Sequence, residues 1–220
     1  MNKVALFDFC ETLANFQTAD PFVDFVREEV GTLRMWLLEL IKRLYDKTSI
    51  LNYVCVKFFN ESSSGKKLKL YQLKGLKKDT LDVLAYKYYT NVVKPNLIPC
   101  MIERLTNLQN QGYMIYLVSG GYDLYLKHFI SDYGLSGCIS TRIKFKGNYC
   151  TGRLDGLDCM KENKILLLKA YFCTRPSYTI SFSDSITDIP LLSWTDEAFV
   201  VSRQKHQKWA QKFKFKEIIW

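Results

Sequence analysis

The chain has 220 residues, of which 48% are hydrophobic and 24% charged, and its formal net charge is +9. These proportions indicate a packed globular core, and an aromatic content of 15% argues against disorder. The positive charge favours anionic partners, but no nucleic-acid-binding motif accompanies it, so we expect no nucleic acid partner.

The first part of the chain predicts one strand followed by a helical block. Residues 3–9 form a short apolar run that reaches an acid at Asp8, which is typical of a buried strand. The stretch NESSSGKK at 60–67 predicts a loop within the block. Helical spacing of apolar residues occurs in three segments, PFVDFVREEV, LRMWLLELIKRLYDK and TLDVLAYKYYTNVV. We therefore expect a helical domain over residues 18–92.

From Pro95 onward, predicted helices alternate with apolar strands. The helices are IPCMIERLTNLQNQG, YDLYLKHFISDYG, KENKILLLKAYF and ITDIPLLSW. The strands are YMIYLVSGG, CISTRIKF, NYCTGRL, YTISFSDS and, last, EAFVVS. This alternation predicts an α/β fold with a Rossmann-like, mostly parallel sheet and helices on both faces. Residues 1–17 and 93–220 would form this core, and the helical block would be an insertion in it. The basic tail RQKHQKWAQKFKFK would form a helix with a solvated face.

Polar residues follow several of the predicted strands, where parallel sheets bind their ligands. They are Asp8 and Cys10, Ser119 to Gly121, and Asp184, Ser185 and Asp188, with Lys164 near the start of a helix. Carboxylates suit Mg²⁺, while a hydroxyl, backbone N–H groups and an ammonium suit phosphate oxygens. Each residue alone has an ordinary explanation as a turn, a helix cap or a solvated lysine. Their order and spacing together indicate a phosphate site.

Four segments resemble, in order, the four motifs of the haloacid dehalogenase superfamily: FDFCETL, LVSGG, CMKENKILLL and SFSDSITDIPLL. The segment YCTGRLDGLDC and the helical insertion after the first strand resemble the phosphoserine-phosphatase-like branch, whose insertion is a helical cap. The similarity extends over nearly the whole chain.

The resemblance implies a catalytic set, a phosphate site and a metal site. Asp8 would be the nucleophile that becomes an aspartyl-phosphate. The implied Mg²⁺ site consists of Asp8, the backbone carbonyl of Cys10, Asp184 and, as a brace, Asp188. The implied phosphate-binding residues are Ser119, the amide of Gly120, Lys164, which offsets negative charge, and Thr12, which closes the first loop.

The departures from the family pattern concern four positions. Cys10 replaces the aspartate that protonates the leaving oxygen and later activates water. Glu11 and Lys161 stand where glycine is common, and Ser183 stands where glycine is usual before Asp184. The framework therefore predicts a phosphatase whose acid–base residue is altered.

We expect a Mg²⁺-dependent phosphomonoester hydrolase or phosphotransferase acting on a small sugar, lipid or metabolite phosphate. The alternative is a phosphate-binding or regulatory protein in which Cys10 impairs catalysis. In the family's phosphoserine enzymes, an acid binds the amino group of the substrate and an arginine in the cap binds its carboxylate. The matching positions here hold Gln17, which is uncharged, and Lys69, which lacks the planar two-donor geometry of arginine. Phosphoserine is therefore not the leading substrate. The segment LRMWLLELIKRLYDK is interpreted as a core-facing cap helix in preference to a membrane-surface helix, which would fit a lipid phosphate.

The cysteines and the apolar runs indicate in which cellular compartment the protein is expected. Seven scattered cysteines without a CxxC pair argue against structural zinc and a redox motif. The start MNKVALFDF is unlike a signal peptide, and no apolar run approaches the ~20 residues that span a bilayer. We expect reduced thiols and a cytoplasmic location.

Overall fold

A computed structural model describes residues 3–47 and 64–220. Its strands are β1 (Lys3–Phe7), β2 (Met114–Tyr122), β3 (Gly137–Thr141), β4 (Ile143–Lys146), β5 (Tyr149–Leu154), β6 (Tyr178–Ser183), β7 (Glu197–Ser202) and β8 (Lys216–Ile219). Its α-helices are α1 (Ala19–Val30), α2 (Leu33–Lys47), α3 (Ser64–Tyr71), α4 (Lys78–Tyr88), α5 (Pro99–Asn110), α6 (Asp123–Tyr133), α7 (Glu162–Tyr171), α8 (Ile189–Trp194) and α9 (Lys208–Lys212). None of these described helices is long and apolar enough to cross a membrane.

Six strands of the described chain form one parallel sheet in the order β3-β2-β1-β6-β7-β8. Val4 and Leu6 of β1 pack on one face with Leu168 of α7 and Leu191 of α8. Phe7 lies in the core of the opposite face with side chains of α5 and α6. The predicted Rossmann-like sheet with helices on both faces is confirmed, and the central position of β1 places Asp8 at the carboxyl edge of the sheet.

The helices α1 to α4 lie between β1 and β2 in sequence and pack on the core through aromatic side chains. Phe22 of α1 lies 5.3 Å, centroid to centroid, from both Tyr88 of α4 and Tyr125 of α6. The antiparallel hairpin of β4 and β5 supports the same helical layer, because the amide of Cys150 donates to Leu76 O at 2.8 Å. Side-chain packing and a backbone hydrogen bond thus both fasten the helical layer to the core.

Three local predictions are wrong. CISTRIKF is two strands, because β3 ends at Thr141 in the main sheet and β4 turns into the hairpin. EAFVVS is not the last strand: the basic tail has only the short helix α9, and β8 then pairs with β7. The loop predicted at 60–67 is wrong from Ser64 onward, where α3 begins, and its residues 60–63 lie outside the described ones.

The helix α2 was expected to turn its apolar residues toward the core, and this holds only in part. Met35 is buried, and Glu39 is buried beside it. The apolar residues left on the surface are Leu33, Trp36, Leu37, Leu40 and Ile41, each between 46 and 75% exposed. The core-facing interpretation is therefore wrong for most of the apolar residues of α2 whose side chains the structure describes.

Candidate active site

A buried lysine between two aspartates forms the centre of the candidate site. Asp8 follows β1, Asp188 lies in the 3₁₀ turn after β6, and Lys164 lies in the first turn of α7. Lys164 Nζ lies 2.9 Å from Asp8 Oδ1 and 2.5 Å from Asp188 Oδ2, and all three side chains are almost fully buried. Ser183 Oγ donates to the same Asp188 Oδ2 at 2.6 Å. Three chain segments thus converge on one ion network.

The electrostatics of this network follow from burial and from the pairing. Burial raises the pKa of Asp8 and Asp188 raises it further, against the lowering effect of Lys164. Burial alone would lower the pKa of Lys164, but Asp8 and Asp188 outweigh it and raise that pKa above its usual value. Lys164 is consequently a permanent cation at neutral pH.

Asp184 follows β6 and is tied to the loop after β1. Thr12 Oγ1 donates to Asp184 Oδ1 at 3.2 Å and accepts from the Asp184 amide at 3.1 Å. Burial, then the charges of Asp8 and Glu11, raise the pKa of Asp184 to about 8. Thr12 is buried, its hydroxyl is engaged by Asp184, and it is not among the residues that line the cavity. Its roles in phosphate binding and in closing the loop stay predictions.

Ser119 and the two glycines after it form the second wall of the site. The Ser119 hydroxyl accepts from the Gly121 amide at 3.1 Å, and Ser119 and Gly120 line the cavity. A Cβ at Gly120 would lie 2.8 Å from Met160 Cγ, and one at Gly121 would lie 2.7 Å from Tyr125 Oη. Packing therefore requires glycine at both positions and leaves backbone at the cavity surface.

Cys10 is buried against the start of the first cap helix. Its Sγ lies 3.1 Å from Thr18 Oγ1 and accepts from the Thr18 amide at 3.4 Å. Burial and the charge of Asp8 raise the pKa of the thiol to about 11. Cys10 is thus a neutral thiol at physiological pH, although it lines the cavity beside Asp8.

Two residues near the site have left-handed backbone conformations. Glu11 in the loop after β1 and Lys161 at the start of α7 both have φ of 53°. A positive φ favours glycine, which explains why glycine is common at these two positions in the family that the sequence resembles. Both strained residues directly adjoin the segments that carry Asp8 and Lys164, where backbone strain is often retained for function.

A cavity of about 570 Å³ opens between the core and the helical layer at these residues. Lys66 of α3 reaches into it and donates to Gly120 O at 2.7 Å and to Asp158 Oδ1 at 2.5 Å. Asp158 Oδ2 is buried and has no hydrogen-bond partner in the described part of the protein. Gln17 lines the cavity as well. Neither Lys66 nor Asp158 was predicted from the sequence. Two signals pointed to Asp158, which lies in the segment YCTGRLDGLDC and six residues before Lys164.

Lys69, the cap residue considered from the sequence for substrate binding, points elsewhere. Its Nζ lies 2.5 Å from Asp24 Oδ1 and 2.7 Å from Glu39 Oε2, and its side chain is buried. Arg27 joins the same cluster through Asp24 and Glu39. Lys69 therefore stabilises the packing of the cap helices, and Lys66, one turn earlier, is the cap cation at the cavity.

The donor chemistry of the site fits a hard divalent cation. Asp8 and Asp188 both contact the ammonium of Lys164, and the charges of the same two acids contribute to the raised pKa of Asp184. No group of three His, Cys, Asp or Glu side chains converges as a metal cluster in the described ranges, so a metal here would need backbone or substrate oxygens as well. Mg²⁺ is bound in this way, by one or two carboxylates with waters and substrate phosphates. Asp8 and Asp184 fit that role, while Lys164 and Ser183 hold Asp188 Oδ2.

The comparison with known proteins identifies the family. The sequence profile of haloacid dehalogenase-like hydrolases matches residues 5–193, so the chain belongs to this family. No curated protein sequence matches the chain with significance.

Solved structures show the same fold at low sequence identity. A protein of unknown function from Bordetella pertussis Tohama I matches with a TM-score of 0.76 and 16% identity, over 99% of this chain and 98% of that one. A HAD family hydrolase from Salmonella enterica serovar Typhi matches with a TM-score of 0.64 and 18% identity, over 99% and 67% of the two chains. A phospho-aspartyl intermediate analogue of phosphoserine phosphatase matches with a TM-score of 0.61 and 19% identity, over 99% and 93%. The chain thus shares its fold with these structures, phosphoserine phosphatase among them.

The raised pKa of Asp184 predicts a pH dependence of stability. The folded protein holds a proton on Asp184 up to pH about 8, whereas the unfolded chain releases it near the ordinary value of 3.8. Between these values the folded state binds more protons, so the free energy of unfolding of metal-free protein should fall as pH rises from 5 to 8.

Urea unfolding of wild type and Asp184→Asn at pH 5 and pH 8 measures this effect. We expect a smaller loss of stability in Asp184→Asn, and a larger Mg²⁺-induced rise in Tm for wild type at pH 8 than at pH 5, because metal and proton compete. Equal pH dependence in the two proteins would contradict the assignment.

Proposed function

We propose that this hydrolase is a Mg²⁺-dependent phosphomonoester phosphatase that works through an aspartyl-phosphate on Asp8. The observation that carries the proposal is the pairing of Asp8 with Lys164 at 2.9 Å, at the edge of a cavity walled by Ser119 and Gly120. A carboxylate nucleophile and a phosphate dianion repel each other, and a fixed ammonium beside both reduces that repulsion.

In the first step an Asp8 carboxylate oxygen attacks phosphorus, and the bond from phosphorus to the ester oxygen breaks. The Ser119 hydroxyl and the backbone at Gly120 bind the transferring phosphoryl oxygens, and Lys164 offsets their charge. When bound, Mg²⁺ would neutralise part of the phosphoryl charge, with Asp8, Asp184 and the Cys10 carbonyl as its protein ligands and Asp188 bracing the site through Lys164 and Ser183.

The second step is attack of water on the aspartyl-phosphate, which releases phosphate and restores Asp8. A base normally takes the proton of this water, and the neutral thiol of Cys10 is poorly suited to do so. The first step suffers less when the leaving group is already good, as in a sugar-1-phosphate or an acyl phosphate. We therefore infer slow turnover with a long-lived phospho-Asp8, which also leaves room for transfer to an acceptor other than water.

The substrate side of the cavity favours a polar leaving group with hydroxyls. Lys66 supplies a cation from the cap, and Asp158, which pairs with it at 2.5 Å and lines the cavity, can accept a hydrogen bond from a substrate hydroxyl. Gln17 is neutral and Lys69 is engaged in the cap, so the two positions matched to phosphoserine binding offer neither an acid nor an available cation. A sugar phosphate or another hydroxyl-bearing phosphate, including a lipid headgroup, fits better.

The alternative is a phosphate-binding or regulatory protein that has lost turnover through Cys10. A binding protein has no need of a nucleophile held against Lys164, nor of the brace from Ser183 to Asp188. The intact network therefore supports catalysis, and the Asp8 variant separates the two hypotheses.

Replacement of Asp8 by Asn should remove phosphate release, by roughly 10³-fold or more, because loss of a catalytic nucleophile costs several orders of magnitude. Phosphate release is measured over a panel of sugar, lipid, acyl and amino-acid phosphates with Mg²⁺ and with a chelator. The chelator should suppress wild type to the level of Asp8→Asn. Metal-independent turnover that survives in Asp8→Asn would refute the mechanism.

Replacement of Cys10 by Asp should speed breakdown of the aspartyl-phosphate by roughly 10²-fold, the lower range of general base catalysis. The decay of labelled phospho-Asp8 is followed after rapid removal of substrate, with Cys10→Asn as the control that adds a polar group but no base. Slower decay in Cys10→Asp, or no accumulation of phospho-Asp8 in wild type, would contradict the inferred role.

Replacement of Lys66 by Ala should lower kcat/KM by about 10-fold or more, mainly through KM, since a charged hydrogen bond contributes ~1.5–3 kcal/mol. Steady-state kinetics on the best panel substrate measures the effect. Lys144→Ala in the hairpin, an exposed residue that does not line the cavity, is the charge-matched control. Equal kinetics for the two variants would exclude Lys66 from substrate binding.

A further inference from the structure

The helix α2 carries an exposed apolar row that the proposed phosphatase chemistry does not use. It consists of Leu33, Trp36, Leu37, Leu40 and Ile41, which recur at helical spacing, and we call it the α2 apolar row. Each of these side chains is between 46 and 75% exposed. Five large apolar residues on one helix face form a contiguous patch, unlike scattered single exposures, and such patches mark interaction sites.

Arginines border the α2 apolar row on both sides. With 3.6 residues per turn, Arg34 falls beside Leu37 and Ile41, and Arg43 falls beside Trp36 and Leu40. Long basic side chains at the edges of an apolar stripe keep their stems on the apolar side and their charge toward polar groups. This is the pattern of a helix that lies in a membrane interface.

Among the described residues, the two arginines at the borders of the row differ in their pairing with acids. Arg34 donates to the carbonyls of Lys74 at 2.6 Å and Tyr71 at 3.3 Å, so these contacts leave its charge uncancelled by an acid. Arg43 pairs with Glu39 at 3.2 Å, but its side chain is 65% exposed and Glu39 is shared with Arg27 and Lys69. Together with the net charge of +9, this favours an anionic surface as the partner.

The opposite side of α2 is fixed to the cap, which leaves the row outward-facing. Met35 is buried, and Glu39 accepts a hydrogen bond from Lys69 Nζ on α3 at 2.7 Å. Lys66, one turn earlier on α3, reaches the cavity at Gly120. A surface bound to the α2 apolar row is therefore held one helix away from the candidate active site.

We propose that the α2 apolar row docks the protein on an anionic lipid bilayer, with α2 lying in the interface. A second copy of the chain fits less well, because pairing this face with itself would bring the arginines of both copies to the same seam. The proposal concerns binding and does not depend on the phosphatase mechanism.

Co-sedimentation with vesicles tests the proposal, using phosphatidylcholine vesicles with and without phosphatidylglycerol. Wild type should bind the vesicles that contain phosphatidylglycerol, and added salt should weaken the binding. Leu37→Glu/Leu40→Glu should reduce the bound fraction at least ~10-fold, since charges enter the buried face of the helix. Val83→Glu/Leu166→Glu, which alters two equally exposed apolar residues on α4 and α7, should bind as wild type does.

Circular dichroism and light scattering complete the experiment, because the altered residues are exposed and the variants should keep the wild-type fold and Tm. No binding of wild type to either vesicle, or an equal loss in both double variants, would overturn the proposal. A wild-type dimer without vesicle binding that Leu37→Glu/Leu40→Glu converts to monomer would also overturn it, in favour of a second copy.

Discussion

The structure around the cavity depends on the burial of one lysine between two aspartates. Moving an ammonium and two carboxylates out of water costs several kcal/mol per ion, and only close pairing with satisfied hydrogen bonds offsets this. Lys164 meets that condition with contacts of 2.9 Å to Asp8 and 2.5 Å to Asp188, and Ser183 binds Asp188 as well. Because the three ions come from β1, α7 and the turn after β6, their pairing also fixes the relative positions of these segments. A lysine elsewhere in the core would leave both acids without this cation.

The same network leaves negative charge over, and this excess gives the site its chemistry. One ammonium cannot balance the charges of both Asp8 and Asp188. Burial and the charges of Asp8 and Glu11 raise the pKa of the nearby Asp184 to about 8, so this carboxyl keeps its proton at neutral pH in the metal-free protein. A divalent cation would complete the balance, and it would also permit a phosphate dianion to approach an ionised Asp8. Binding of metal and binding of phosphate are thus linked through charge. Strain is distributed in the same region, since Glu11 and Lys161 hold left-handed conformations beside the segments that carry the ions.

The sequence predicted the parts of the fold that local pattern determines, and missed those that depend on long-range pairing. The buried strand ending in Asp8 and the helix that ends before Gly134 follow from apolar spacing and a positive-φ glycine, and both are present. The strand β8 was missed, because a basic, aromatic segment forms a strand only when β7 offers an edge. Which cap side chain reaches the cavity was equally unpredictable: Lys66 and Lys69 differ by one helical turn, and packing against Asp24 and Glu39 decides between them. The exposure of α2 could not be predicted either, because the sequence pattern of an apolar helix face is the same whether or not another element covers that face.

Cys10 connects the chemistry of the site with the attachment of the cap. Its sulfur binds the hydroxyl and amide of Thr18, the residue just before α1. The Thr18 hydroxyl lies 2.7 Å from Tyr125 Oη of the core, and the Thr18 carbonyl accepts from Tyr88 Oη of the cap at 2.8 Å. A carboxylate at position 10 would still accept hydrogen bonds from Thr18, so this packing alone does not require a thiol. The neutral thiol instead removes one more negative charge from a site that already holds an excess of acids. In the mechanism that we propose, the chain thereby lacks a general base at position 10 and has a less repulsive environment for the phospho form of Asp8, which would favour a long-lived intermediate over rapid hydrolysis.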